Sequence, residues 1–491
     1  MNFCAFPRVT PEEVGLSSTD ILSYVQALES SGTEMHSIMI MRQCKVCAES
    51  WWAPYAQGTV HAMQSLTKTF TGTAYGAAEQ LGILDYDEYV LDVFPEYAHL
   101  TSGPYWGELK VYHLLTMGSG MESQHPIKSE DWMQGFFTIP IKNKPGTTLY
   151  YNSSACSLVG ACVKKRSGMD ALPFLKKHIF DHIGIDGNRV KWLTHPDGQV
   201  NGSGGIMTTT EDNLRLMQLY AQHGSWNGKQ IISRRWADMA VQLQNRNDKR
   251  SGPNSALGYG GMMWVRENAC YAEGGMGQYA ILFPEKDLIV AVTETISSMP
   301  SYRRVNEILY TLDQFAADGT LPVDDVHAKA LHDYLSRRTL PAPKDIGIRG
   351  KLHNKETLQV VSGEIPMFSE DLDIFNPNYH EPVSAISFSQ EGPVITMIVH
   401  SASGTNALRT STDGRRWYNH VKSNHLTTEL SLFSYWINET TLLMEFRWIE
   451  SCRTRTVEFT FDAQGSDVVA KQLDVGGFDV PPSKARMEIM K

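Results

Sequence analysis

Between Thr69 and Leu81 the chain runs Thr69-Phe70-Thr71-Gly72-Thr73-Ala74-Tyr75-Gly76-Ala77-Ala78-Glu79-Gln80-Leu81, small and apolar with few charges. A helix of this composition has no polar face to give to water, so it must be packed on all sides. At the head of the run stands Ser65-Leu66-Thr67-Lys68, the one place in the chain where a Ser precedes a Lys by three residues. One helical turn brings that hydroxyl and that amine to the same face.

The pairing makes chemical sense. An unactivated Ser hydroxyl is a poor nucleophile and needs a neighbouring base. Burial disfavours the charged form of an amine, which suits an enclosed Lys to take a proton near neutral pH. Chance supplies about one or two such Ser–Lys pairs in a chain of this length. An ordinary buried helix whose Lys reaches out to solvent would read the same way. The surroundings therefore carry the argument.

With 491 residues the chain exceeds what one core usually supports, so two domains are expected. A net charge of −10 argues against nucleic acid or an anionic membrane surface as partner. No run of about 18 apolar residues marks a membrane helix, and residues 1–8 lack the basic and apolar regions of a signal peptide. The seven cysteines, odd in number and scattered, read as reduced thiols of a cytoplasmic protein. Cys44-Lys45-Val46-Cys47 has C-x-x-C spacing but lacks the second pair of a zinc site and the strand-to-helix junction of a redox motif. Glycosylation triplets at Asn152, Asn201 and Asn438 carry little weight without a secretory signal.

Hydrophobic patterning places a helix ending near residue 28, then strands at 37–41 and 46–52 joined in a hairpin. The helix from Ser65 follows, then helices at 155–165, 172–183 and 211–223. Strands at 261–266, 279–283 and 288–293 and a helix at 305–315 complete the unit. Strands at both ends with helices between them give an α+β domain whose sheet is mainly antiparallel. A further helix at 323–338 precedes a linker, residues 339–350, that contains Pro341 and Pro343. From 351 to 491 short strand-forming runs alternate with turn residues, an all-β domain of sandwich or barrel type.

The order and wording of six stretches resemble the class C β-lactamase-type serine hydrolases. That family includes β-lactamases, D-Ala-D-Ala peptidases, β-lactamase-fold esterases and hydrolases of 6-aminohexanoate oligomers. The stretches are Pro11 to Ser17, Ser65 to Lys68, His113 to Met121, Pro145 to Thr147, Gly204 to Thr209, and Phe283 to Leu288. The resemblance makes residues 1–338 the hydrolase domain, with Ser65 as nucleophile and Lys68 as its base. The family's Y-x-N motif falls in Tyr150-Tyr151-Asn152-Ser153 and admits two registers. Spacing from Pro145-Gly146-Thr147 and from Leu158-Val159-Gly160 favours Tyr151 over Tyr150 as proton relay. Asn152 and Ser153 follow as substrate-facing groups, or as helix caps, for which they are equally apt.

The family's third motif, K-T-G or H-x-G, corresponds to Cys270-Tyr271-Ala272-Glu273-Gly274-Gly275-Met276-Gly277, with neither Lys nor His. In β-lactam-reactive members that cation helps hold the substrate carboxylate, so its absence makes an anionic substrate a poorer fit. Gly274 and Gly275 still allow backbone N–H groups to approach a tetrahedral intermediate. Trp132 and Trp264 are candidates to line an acyl pocket, although core packing is the commoner role of such residues.

The resemblance thus implies a serine hydrolase acting on a small ester or amide through an acyl-enzyme, with no cofactor. A β-lactamase or D-Ala-D-Ala carboxypeptidase is the alternative. A non-catalytic scaffold or binding protein on the same fold is the alternative of another class. The expected partner is the small-molecule substrate; homo-oligomerisation and the role of the β domain are left open.

Overall fold

The computed structural model describes residues 5–248, 256–342, 347–366, 381–422, 426–472 and 481–490. Part of the expected linker, residues 343–346 with Pro343, lies outside these. Two compact units emerge, one formed by residues 1–51 and 62–338, the other by residues 52–61 and 339–491.

The first unit is built on an eight-stranded antiparallel sheet. Its order is Lys45–Trp51, Glu34–Arg42, Leu288–Thr295, Gln278–Phe283, Cys270–Gly274, Trp264–Val265, Gly258–Tyr259, Asn245–Arg246. Chain beginning and chain middle therefore meet in the second and third strands of this order, where Ile38 pairs with Val292 and Ile40 with Val290. The helix Thr67–Gln80 lies in a core that includes Ala272, Ala280, Ala291, Leu158 and Trp236. Its small residues have a packing reason. A Cβ at Gly76 would stand 2.2 Å from the Trp236 ring, and one at Gly72 would stand 2.9 Å from it. Glycine costs a helix about 1 kcal/mol relative to Ala, and here it lets an indole lie against the backbone.

Two expectations shift. The closing helix is Met299–Leu309 rather than 305–315, because Ser298 caps it by accepting from the Ser301 N–H and Pro300 suits the first turn. The strand expected at 261–266 is only Trp264–Val265, since Met262 sits at φ 58 in a turn between two short strands. Cys44, Cys47, Cys156, Cys162 and Cys270 are free thiols. Among the described residues no helix is long and apolar enough to cross a membrane.

The second unit is an antiparallel meander of ten strands from Thr357–Gly363 to Ser483–Ile489, and the first strand pairs with the last. Gly404–Ser411 and Trp417–His420 stand at the two ends of the strand order. Asparagine side chains bridge them. Asn419 accepts from Arg409 N (2.7 Å) and donates to Arg409 O (3.0 Å), while Asn406 accepts from Lys422 N (2.8 Å) and donates to Lys422 O (2.7 Å). Each amide supplies the donor–acceptor pair of a missing ladder rung. Of the two β architectures expected, this one is nearly a barrel. Alternate residues such as Leu358, Ile386, Met397, Leu432, Met444, Phe446 and Phe459 fill its interior.

Candidate active site

Ser65 lies in the single 3₁₀ turn Gln64–Leu66 that leads into the helix Thr67–Gln80. Gln64, at φ 48, bends the chain sharply just before it. Such left-handed geometry is sparsely populated by non-glycine residues and persists only where neighbours fix it. The neighbours here are the residues around Ile206. Its carbonyl accepts from the Met63 N–H at 2.9 Å, and its own N–H donates to Thr67 Oγ1 at 3.1 Å. The turn that carries Ser65 is thus fastened on both flanks.

Lys68 is 1 % exposed, and its Nζ lies 3.0 Å from Ser65 Oγ and 2.8 Å from the Ser203 carbonyl oxygen. It also stands 4.8 Å from the ring centroid of Tyr151. Tyr151 precedes the helix Ser153–Ser167, is half-buried, and stacks on Trp264 at 5.6 Å with 7° between the planes. The edge of Tyr259 closes the aromatic group. Complete burial pushes the Tyr259 phenol well above its ordinary range, with the neighbouring Tyr151 adding to the effect.

Gly274 ends its strand against the turn that carries Ser65, and a Cβ there would fall 2.0 Å from the Met63 carbonyl oxygen. Gly275 is exposed, with no atom near the position of a Cβ. Side chains alternate along a strand, so Glu273 points to the opposite face of the sheet, where it accepts from the Tyr302 hydroxyl. The residue two before Gly274, on the Ser65 side, is the buried Ala272.

Three of the expected substrate-binding residues are placed differently. Trp132 is 1 % exposed, stacks on His195 at 4.2 Å, and donates through Nε1 to Asp197 at 2.9 Å. It packs the core instead of lining a pocket, because the His195 ring and the Asp197 carboxylate occupy its apolar face and its polar tip. Asn152 is fully buried and caps the helix Ser153–Ser167, its Oδ1 accepting from Ala155 N and Ser154 Oγ. Ser153, half-buried, opens that helix and donates its N–H to Gln124 at 2.8 Å. Residues that the sequence reading missed are Ser203, whose carbonyl holds Lys68, and Asn201 beneath it. The Gly204 to Thr209 stretch was the available signal, for it follows both directly.

A cavity of about 680 Å³ opens elsewhere in this unit, lined by Arg8, Glu49, Ser50, Lys329 and Leu335, and includes none of the Ser65 group.

Residues 26–312 match the family described as Beta-lactamase. A curated beta-lactamase from Yersinia enterocolitica is 27% identical over 191 residues, covering 34% of this chain and 47% of that protein. The chain thus spans about half the length of the curated relative it matches. Among solved structures, a Bacillus anthracis protein provisionally identified as a 6-aminohexanoate-dimer hydrolase superposes with a TM-score of 0.50 at 16% identity. That match covers 63% of this chain and 86% of the other. A Bacteroides dorei DSM 17855 protein provisionally identified as a beta-lactamase gives 0.52 at 17% identity, covering 61% and 99%. At such identities the likeness is one of fold. The family match spans more than half of the sequence, and the chain belongs to the beta-lactamase family.

Proposed function

We propose that the protein is a serine hydrolase that cleaves an ester or amide of a small substrate through an acyl-enzyme on Ser65. The 3.0 Å contact between Lys68 Nζ and Ser65 Oγ carries this reading. Lys68, in its amine form, takes the hydroxyl proton as Ser65 Oγ attacks the substrate carbonyl. The Ser65 N–H, with a backbone N–H from the Gly274–Gly275 strand end, is the donor pair assigned to the developing oxyanion. Tyr151 passes a proton to the leaving group as the scissile bond breaks, and water then hydrolyses the acyl-enzyme. The protein chain supplies every group in this scheme.

The absence of a cation at Ala272 supports a substrate without a carboxylate beside the scissile bond; Glu273, turned to the far face, adds nothing to that preference. The likeness to the Yersinia beta-lactamase favours the second reading, a β-lactamase or D-Ala-D-Ala carboxypeptidase. Parallel assays with a short-chain p-nitrophenyl ester and with nitrocefin separate the two. Ester turnover with little nitrocefin hydrolysis is expected, and fast nitrocefin hydrolysis without ester cleavage would reverse the order.

A further inference from the structure

Among the described residues, the Lys68 amine has two hydrogen-bond acceptors, Ser65 Oγ and the Ser203 carbonyl. The first is the atom that reacts. The second must therefore hold the amine in place while Ser65 is being acylated. What aims that carbonyl is Asn201. Its Oδ1 accepts from Ser203 N at 3.0 Å, from Ser203 Oγ at 2.8 Å, and from Ser157 Oγ at 3.2 Å. Ser157 belongs to the helix Ser153–Ser167 that begins just after Tyr151.

The Asn201 backbone is fixed as well. Its N–H donates to Leu193 O at 2.9 Å, and its carbonyl accepts from Trp192 Nε1 at 2.8 Å. The next residue, Gly202, accepts from Thr71 Oγ1 at 2.7 Å, and Thr71 lies one turn beyond Lys68 on the same helix. A Cβ at Gly202 would stand 3.0 Å from the Cys156 carbonyl oxygen and 3.3 Å from Thr71 Cγ2. The Asn201-Gly202-Ser203 loop is thus wedged between the helix that carries Lys68 and the helix that follows Tyr151. Asn201 and Ser157 are fully buried, and Ser203 is 2 % exposed.

We propose that Asn201 is a positioning residue for Lys68, fixing the Ser203 carbonyl against its amine and tying base and proton donor into one unit. The inference rests on the assignment of Ser65 and Lys68 given above. Its chemistry shows in the amide itself. A carboxylate would accept the same three donors, and it would remove the buried Asn201 Nδ2, which has no hydrogen-bond partner among the described residues. A carboxylate so near Lys68 would also hold the lysine as an ammonium, useless as a base. The unpaired donor is the cost of an acceptor without charge.

The test is the rate at which a fluorophosphonate phosphonylates Ser65, with loss of fluoride, followed by intact mass across a pH series. Wild type, Asn201→Ala and Asn201→Asp are compared, and circular dichroism reports folding. Asn201→Ala should slow labelling by about tenfold to a hundredfold. Asn201→Asp should keep the fold and recover geometry, but its pH profile should move to higher pH because the ammonium is stabilised. A labelling rate in folded Asn201→Ala equal to wild type overturns the inference. So does an Asn201→Asp profile that superimposes on wild type, which decides the matter alone if the alanine variant does not fold. Absence of labelling in the wild type would instead remove the Ser65 assignment, and this inference with it.

Discussion

The α-carbon of Gly274 faces the carbonyl oxygen of Met63 so closely that a methyl group on it would lie 2.0 Å from that oxygen. Strand end and nucleophile turn are thus in backbone contact, and Met63 is two residues from Ser65. Gly274→Ala should push the turn aside. Overpacking of this kind costs about 1–3 kcal/mol, and a displaced nucleophile should lose about a hundredfold in acylation rate. Gly275→Ala meets nothing and should change stability by less than about 0.5 kcal/mol. Thermal melts and Ser65 labelling rates of the two variants check the contrast. Equal behaviour would show that the strand end does not seat the nucleophile.

Tyr151 meets Lys68 and Trp264 through its ring, so the hydroxyl can be removed without disturbing either contact. Tyr151→Phe should leave the melting temperature unchanged and lower kcat by about a hundredfold or more, the scale of a lost proton donor. Tyr150→Phe should stay close to wild type. The two ester-hydrolysis rates decide between the registers.

Glu294 gives a pH signature to the fold. Its side chain is fully buried, with Oε2 accepting from Thr33 Oγ1 at 2.8 Å and the carboxyl lying beneath Gly277. Burial raises its pKa from 4.5 to about 8, against the opposing effect of the Thr33 hydrogen bond. The folded state therefore holds a proton that the unfolded chain has already released. Stability from this group is present below the unfolded value and is lost as pH rises towards 8, by about 1.4 kcal/mol per pH unit. Glu294→Gln should flatten that fall. Urea titrations of both proteins at pH 5 and pH 8 should show the variant gaining relative to wild type at the higher pH, and parallel slopes would refute the assignment.

What was legible in the sequence was local. Ser65 and Lys68 are one turn apart, so pattern and chemistry suffice to pair them. The buried helix announced itself by small residues, and the β domain by its alternation, although only the Asn406 and Asn419 bridges identify it as nearly a barrel. Long-range partners left only an indirect trace. Ser203 reaches Lys68 across 135 positions, and the neighbouring Gly204 to Thr209 stretch marks the place without telling a buried acceptor at Asn201 from a glycosylation triplet. Trp132 admitted both readings because an aromatic ring with one polar atom suits a pocket and a core alike until its partners, His195 and Asp197, are known. Glu273 could be placed only once the strand's register showed which face it takes.

The central claim is that Ser65 is a nucleophile activated by Lys68. Peptide mass spectrometry of the folded protein after fluorophosphonate treatment tests it most directly. A single adduct is expected, on Ser65, lost in Ser65→Ala and strongly slowed in Lys68→Met. No adduct on folded wild-type protein, or one on another residue, would contradict it.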